Sequence, residues 1–213
     1  RAGVPLKKGM RVLDLGCGKG LTSIFLAKKF GVTVFAYDLW TNATENFNRF
    51  QATGTEDLII PIQSDALTLP FAEKYFDAVI SVDSYHYFAH NDTYFSHVLK
   101  PVLKENAPVA IAIPGMKFEV YDNVPNEMKA FWDDEVLHTI RPAQWWKPKF
   151  ASHLSDFSID EMQCFQQAWD DWLCTENPYA IADREMMATD GGKYMNLLAV
   201  KGYVNSDTKK DLY

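Results

Sequence analysis

Through the first half of the chain, short apolar runs alternate with stretches of helical periodicity. A parallel sheet wrapped by helices produces this alternation. Residues 11–15 read as a strand. Residues 21–30 read as a helix, with Leu21, Ile24 and Phe25 spaced to face inward. A second strand is expected over residues 32–37 and a polar helix over 41–53, where Asn42 and Glu45 have the spacing of a helix start. Residues 58–63 and 76–82 give strands three and four. A helix over 94–104 contains Pro101, so it should kink or break there. The fifth strand, 108–113, is expected to close at Pro114-Gly115. The second half is less regular. A helix over 142–154, a sixth strand over 158–165, short helices over 169–173 and 180–187, and a long final strand over 194–204 complete the pattern.

Length and composition narrow the class. The 213 residues suit one domain, with an inserted lid expected over 116–156. Apolar residues are 47% and charged residues 23%, the globular range. No apolar run approaches the roughly 18 residues of a membrane span, so no membrane partner is expected. The chain opens at Arg1 without Met, and residues before it are expected in the natural protein. The three cysteines, Cys17, Cys164 and Cys174, have neither zinc-site nor redox-pair spacing. Their sparseness suits a reducing cytoplasm, and the dispersed histidines point to no metal. Net charge is −7, and residues 116–190 hold 15 Asp or Glu against 6 Lys or Arg. The longest basic clusters are pairs: Lys7-Lys8, Lys28-Lys29 and Lys209-Lys210. That balance disfavours nucleic acid and tolerates a neutral or cationic small molecule. Nothing in the sequence indicates an oligomeric state.

Candidate chemistry concentrates after the first strand, where residues 12–20 spell V-L-D-L-G-C-G-K-G. Glycines at 16, 18 and 20 let the main chain approach a ligand closely, and the following helix offers free N–H groups. A dinucleotide fingerprint is G-x-G-x-x-G. Here Leu21 occupies the position of its third glycine, and the pattern is G-x-G-x-G preceded by Asp14. This loop resembles motif I of the class I S-adenosylmethionine (SAM) dependent methyltransferases. The resemblance implies that Asp14, Gly16, Cys17, Gly18 and Gly20 surround SAM, with Asp14 toward its methionine amino group. Asp38 ends the second strand, where a carboxylate can accept from ribose hydroxyls. Asp65 and Ala66 resemble the family's adenine contacts, with Leu39, Trp40 and Leu67 around the ring. The run F-D-A-V-I-S-V-D-S-Y-H-Y-F, residues 76–88, has the form of motif IV. The resemblance covers roughly residues 12–115 and is strongest to the bacterial type 11 group.

It implies a Rossmann-like three-layer αβα sandwich. The expected sheet has seven strands in the order 3-2-1-4-5-7-6, mostly parallel, with an antiparallel last strand. The implied activity is methyl transfer from SAM to a small-molecule acceptor, leaving S-adenosylhomocysteine. The alternative is a SAM-binding module without catalysis. An enzyme of this kind must place the acceptor near the methyl and exclude water. His86 is the candidate base, flanked by Tyr85 and Tyr87, with Asp83 orienting it or meeting the cofactor. Five of the six tryptophans lie in the second half. Of these, Trp145 and Trp146, a pair also familiar from uncharacterised type 11 members, are candidates for an aromatic acceptor pocket, and Trp169 and Trp172 for packing.

Overall fold

The computed structural model describes residues 4–206; Arg1 and the Lys209-Lys210 pair lie outside the described residues. Seven strands form one sheet: β1 (Arg11–Leu15), β2 (Thr33–Asp38), β3 (Ile59–Gln63), β4 (Ala78–Val82), β5 (Pro108–Met116), β6 (Leu154–Glu161) and β7 (Met195–Val204). Their order is β3-β2-β1-β4-β5-β7-β6, as expected. The first five run parallel, and β7 is antiparallel to both neighbours.

Side chains alternate across a strand, so each central strand feeds two cores. On one face Val12, Val34, Ala36, Ala78 and Ile80 pack with Leu26 and Ala27 of α1 (Leu21–Phe30) and Phe50 of α2 (Ala43–Ala52). On the other, Leu13, Leu15, Phe35, Tyr37 and Val79 pack with Phe95, Leu99, Trp146 and Phe150. Burying each such Leu or Phe contributes about 1.5–3 kcal/mol. That burial on both faces explains why the strands read as continuous apolar runs.

Several elements depart from the sequence reading. In α1, Leu21 and Phe25 point outward, 80% and 57% exposed, whereas Ser23, Leu26 and Ala27 are buried. The helix is rotated so that Ser23 reaches Asp14 beneath it. β5 continues through Pro114-Gly115 to Met116, because β4 pairs with it only over Val109–Ala112 and β7 carries the rest. Pro114 therefore interrupts no ladder bond to β4. The helix expected over 94–104 is a π-helical turn, Phe95–Leu99, followed by α4 (Lys100–Val102), with Pro101 where a helix can start. β6 begins at Leu154, earlier than expected, and shifts register between Ser155 and Ser158, with Asp156 at φ 47°.

The region after β5 holds a 3₁₀ turn (Asn126–Met128), α5 (Asp134–Thr139) and α6 (Ala143–Ala151). Its Val120, Met128, Trp132 and Leu137 form a third core with Met116 at the end of β5, Met186 of α8 (Pro178–Asp190) and Met195. Phe165 and Trp169 of α7 (Phe165–Leu173) pack on it. Among the described residues no helix is long and apolar enough to cross a membrane.

Candidate functional site

A cleft of about 390 Å³ opens beyond the carboxyl ends of β1, β2, β3 and β4. Open parallel sheets bind ligands at such edges. Gly16, Asp38, Leu39, Trp40, Asp65, Ala66, Leu67 and Tyr87, all read from the sequence, line it. Leu39, Trp40 and Leu67 are apolar yet at least half exposed, so they give the cleft an unfilled hydrophobic wall. The edge of Trp40 meets Tyr87, with ring centroids 5.4 Å apart, joining the β2 bank to the β4 bank.

Of the glycine loop, Gly16 lines the cleft, while Asp14, Cys17, Gly18 and Gly20 lie behind it, outside the lining. Gly16, Gly18 and Gly20 all have positive φ, a conformation that penalises other residues. Their surroundings differ. A Cβ on Gly16 would stand 1.9 Å from Ser84 Oγ, and one on Gly20 would stand 2.4 Å from the Phe50 ring. A Cβ on Gly18 would meet nothing within 4 Å. Gly16 and Gly20 are thus required by packing, whereas Gly18 has an open face.

Asp14, the last residue but one of β1, is almost wholly buried. Ser23 Oγ donates to its Oδ2 at 2.5 Å, while its Oδ1 is buried without a hydrogen-bond partner. Burial raises the carboxyl to about 7; the Ser23 bond opposes the rise and Asp38 adds to it. Asp38 is better supplied. Its Oδ2 accepts from Gly18 N at 2.8 Å, and its Oδ1 accepts from Trp40 N at 2.9 Å and Thr41 N at 2.7 Å. A carboxylate offers about four acceptor sites, so one remains for a ligand rather than a pair. Asp65 Oδ1 accepts from Leu67 N at 2.9 Å. The strap around it is held from below. Tyr37 Oη donates to the carbonyls of Asp65 (3.0 Å) and Thr68 (2.7 Å), and Tyr94 Oη donates to that of Ala66 (2.9 Å).

The motif IV aromatics divide. Tyr87 reaches the cleft, but Tyr85 is in the main core, packed against Phe88, Tyr94, Trp146 and Phe150. This corrects its expected place at the reacting centre: it is the first residue of α3 (Tyr85–Phe88), a single turn that directs it under the sheet end. His86 is 2% exposed, outside the cleft lining, with Nδ1 unpartnered. Burial, with His90 nearby, lowers it to about 3, which keeps the ring neutral and weakly basic. The imidazole that does line the cleft is His90.

Asp83 has φ 54° and donates its N–H to the Ala112 carbonyl. It does not line the cleft. Burial raises its carboxyl, and the nearby Asp183 adds to the rise. Trp146 is fully buried, and Trp145 packs on the same core beneath Lys149 Nζ, 3.9 Å from its ring centroid. Neither lines the cleft; α6 turns both toward the sheet. Cys17 is a buried thiol raised by burial, with Asp14 and Asp38 adding to the rise.

Sequence reasoning missed Tyr37, Ser64, Ser84, Phe88 and His90 in the lining. Ser64 and Ser84 stand immediately beside the acids it selected, at the ends of β3 and β4, so adjacency was the available signal. Tyr37 likewise precedes Asp38, and Phe88 closes the motif IV run; His90 carried no signal.

Residues 12–106 match the family model described as a methyltransferase domain. Over that segment, somewhat under half of the chain, it is similar to methyltransferase domains. A fatty-acid O-methyltransferase of Mycolicibacterium smegmatis is 36% identical over 96 residues, 44% of this chain and 33% of that protein. Methyltransferase GfsG of Streptomyces halstedii is 32% identical over 105 residues, 49% of this chain and 37% of that one. The chain thus matches little more than a third of the length of these relatives. The methyltransferase fold extends beyond the matched segment. Phosphoethanolamine N-methyltransferase 2 of Haemonchus contortus, solved with SAM, superposes with TM-score 0.73 at 20% identity, over 97% of this chain and 51% of that one. Geranyl diphosphate C-methyltransferase of Streptomyces coelicolor gives 0.74 at 14% identity, over 93% and 73%.

Proposed function

We propose that this domain binds SAM in the cleft and moves its methyl group to a small-molecule acceptor. The observation that carries the reading is Asp14: a buried carboxylate oxygen without a partner, behind a glycine loop whose middle residue is open. An unpaired buried acceptor is costly unless a ligand completes it, and a cationic amino group does so best. The residues present therefore fit SAM. Asp14 would hold the amino group, the free site of Asp38 a ribose hydroxyl, and the strap from Ser64 to Leu67 the adenine between Trp40, Leu39 and Leu67. When bound, SAM would supply a sulfonium methyl group whose carbon an acceptor's lone pair can attack in line, the carbon–sulfur bond breaking to leave the neutral thioether S-adenosylhomocysteine.

The chain's own work is then positioning and exclusion of water. Tyr87 and Trp40 cover the cleft from opposite banks. His90 is the lining group suited to take a proton from a protonated acceptor. Burial lowers its pKa, with the nearby His138 and Lys149 adding to the fall and hydrogen bonding to the Tyr87 and His138 backbone opposing it. Of the lid expected over residues 116–156, Met116 belongs to β5, α6 packs into the main core and β6 joins the sheet, so the segment from residue 117 through α5 is left as the acceptor-side cover in this reading; the three free cysteines fit the reducing cytoplasm.

Formation of S-adenosylhomocysteine from SAM, measured across a panel of fatty acids, amines, phenols and prenyl diphosphates, tests this reading. Acceptor-dependent product supports it; tight SAM binding with no product from any acceptor supports a non-catalytic SAM module. Asp38→Ala should weaken S-adenosylhomocysteine binding about tenfold or more, since it removes a charged acceptor and frees three loop N–H groups. Unchanged affinity would place the ribose contact elsewhere.

A further inference from the structure

Asn46 lies on α2, outside the cleft lining, and is 2% exposed. A polar side chain buried on a helix face that otherwise seats Phe50 needs partners, and it has them. Its Nδ2 donates to the Gly18 carbonyl at 2.8 Å and lies 3.7 Å from Cys17 Sγ. Its Oδ1 accepts from Arg49 Nη1 at 2.9 Å, which fixes which end of the amide faces the loop. Arg49 is in turn paired with Glu45, one helical turn back, at 3.3 Å.

Both polar groups of Gly18 are thereby held: its N–H by Asp38 and its carbonyl by Asn46. Gly18 is the loop residue with open space on its Cβ side and φ 52°, so packing alone does not define its conformation. We propose that Asn46 is a positioning residue for cofactor binding, holding the Gly18 peptide in its ligand-ready orientation, with Arg49 acting through it. The inference rests on the cleft being the SAM site.

The test uses the 213-residue chain and S-adenosylhomocysteine in calorimetric titration. Asn46→Asp keeps the side-chain size and the Arg49 partner but turns an acceptor toward the Gly18 carbonyl. Its affinity should fall at least tenfold, while the melting midpoint without ligand stays within a few degrees of the unaltered chain. Arg49→Ala should lower affinity about threefold. Combined with Asn46→Asp it should add nothing further, because both act through one contact. Asn46→Leu, which also removes the donor, should reproduce the loss if Asn46→Asp proves too unstable to measure. Full affinity in either Asn46 variant, or additive losses in the double variant, would overturn the inference. Absence of binding by the unaltered chain would instead overturn the SAM reading beneath it.

Discussion

Asp14→Asn is expected to lower S-adenosylhomocysteine affinity about 100-fold, roughly 3 kcal/mol, the scale of removing one partner from a buried charge pair. Ser23 would still find an acceptor oxygen in the amide, so the fold should persist. The pH dependence gives a sharper sign. In the ligand-free protein the Asp14 carboxyl is raised from 3.8 to about 7, chiefly by burial. Between those values the native state holds a proton that the unfolded chain has lost. Stability should therefore fall as pH rises across that window. A ligand presenting a cationic amine favours the ionised carboxylate, so affinity should grow from pH 5.5 toward 7.5. Asp14→Asn should flatten both slopes. A ligand affinity that stays level with pH in the unaltered chain would remove Asp14 from the binding site.

Gly16→Ala should be the most damaging single substitution in the loop. The added methyl would meet Ser84 Oγ at 1.9 Å and Ser84 Cβ at 2.3 Å, and φ is +77°. Ser84 cannot swing aside freely, because its hydroxyl donates to the Leu15 carbonyl at 2.8 Å. The left-handed conformation costs about 1–2 kcal/mol for a residue with Cβ, and overpacking a further ~1–3 kcal/mol. A loss of about 3 kcal/mol or more in urea unfolding is expected. Gly18→Ala, with nothing within 4 Å, should lose only the backbone contribution. Equal losses at the two positions would mean that Ser84 is not where the packing places it.

Why some features were legible in the sequence follows from where their causes lie. The strands themselves were legible because segments such as Val12 to Leu15 are buried on both faces and their apolar run survives in the linear pattern, whereas their order was implied by the family resemblance. The cofactor side of the cleft was legible because Asp14, Asp38 and Asp65 each stand at or just past the carboxyl end of a strand, and those ends converge in this topology. The face of α1 was not legible. Its inward Ser23 is buried for a hydrogen bond to Asp14, while Leu21 and Phe25 stay outside, so hydrophobic periodicity points the wrong way. The acceptor side failed for a related reason. Tyr85 and Trp146 have the composition of a pocket wall, yet their rings lie 6.0 Å apart in the main core. Only the turn of α3 and the direction of α6 decide that, and neither leaves a periodic trace. Asn46 reads as one more polar residue of a polar helix until Gly18 is brought beside it.

The central claim is that this cleft is a SAM site completed by the Asp14 carboxylate. Calorimetric titration of the chain with S-adenosylhomocysteine, repeated with NAD, tests it most directly. Single-site binding of S-adenosylhomocysteine that is lost in Asp14→Asn, with no response to NAD, is the expected result. Binding of NAD without S-adenosylhomocysteine, or binding that Asp14→Asn leaves intact, would contradict it.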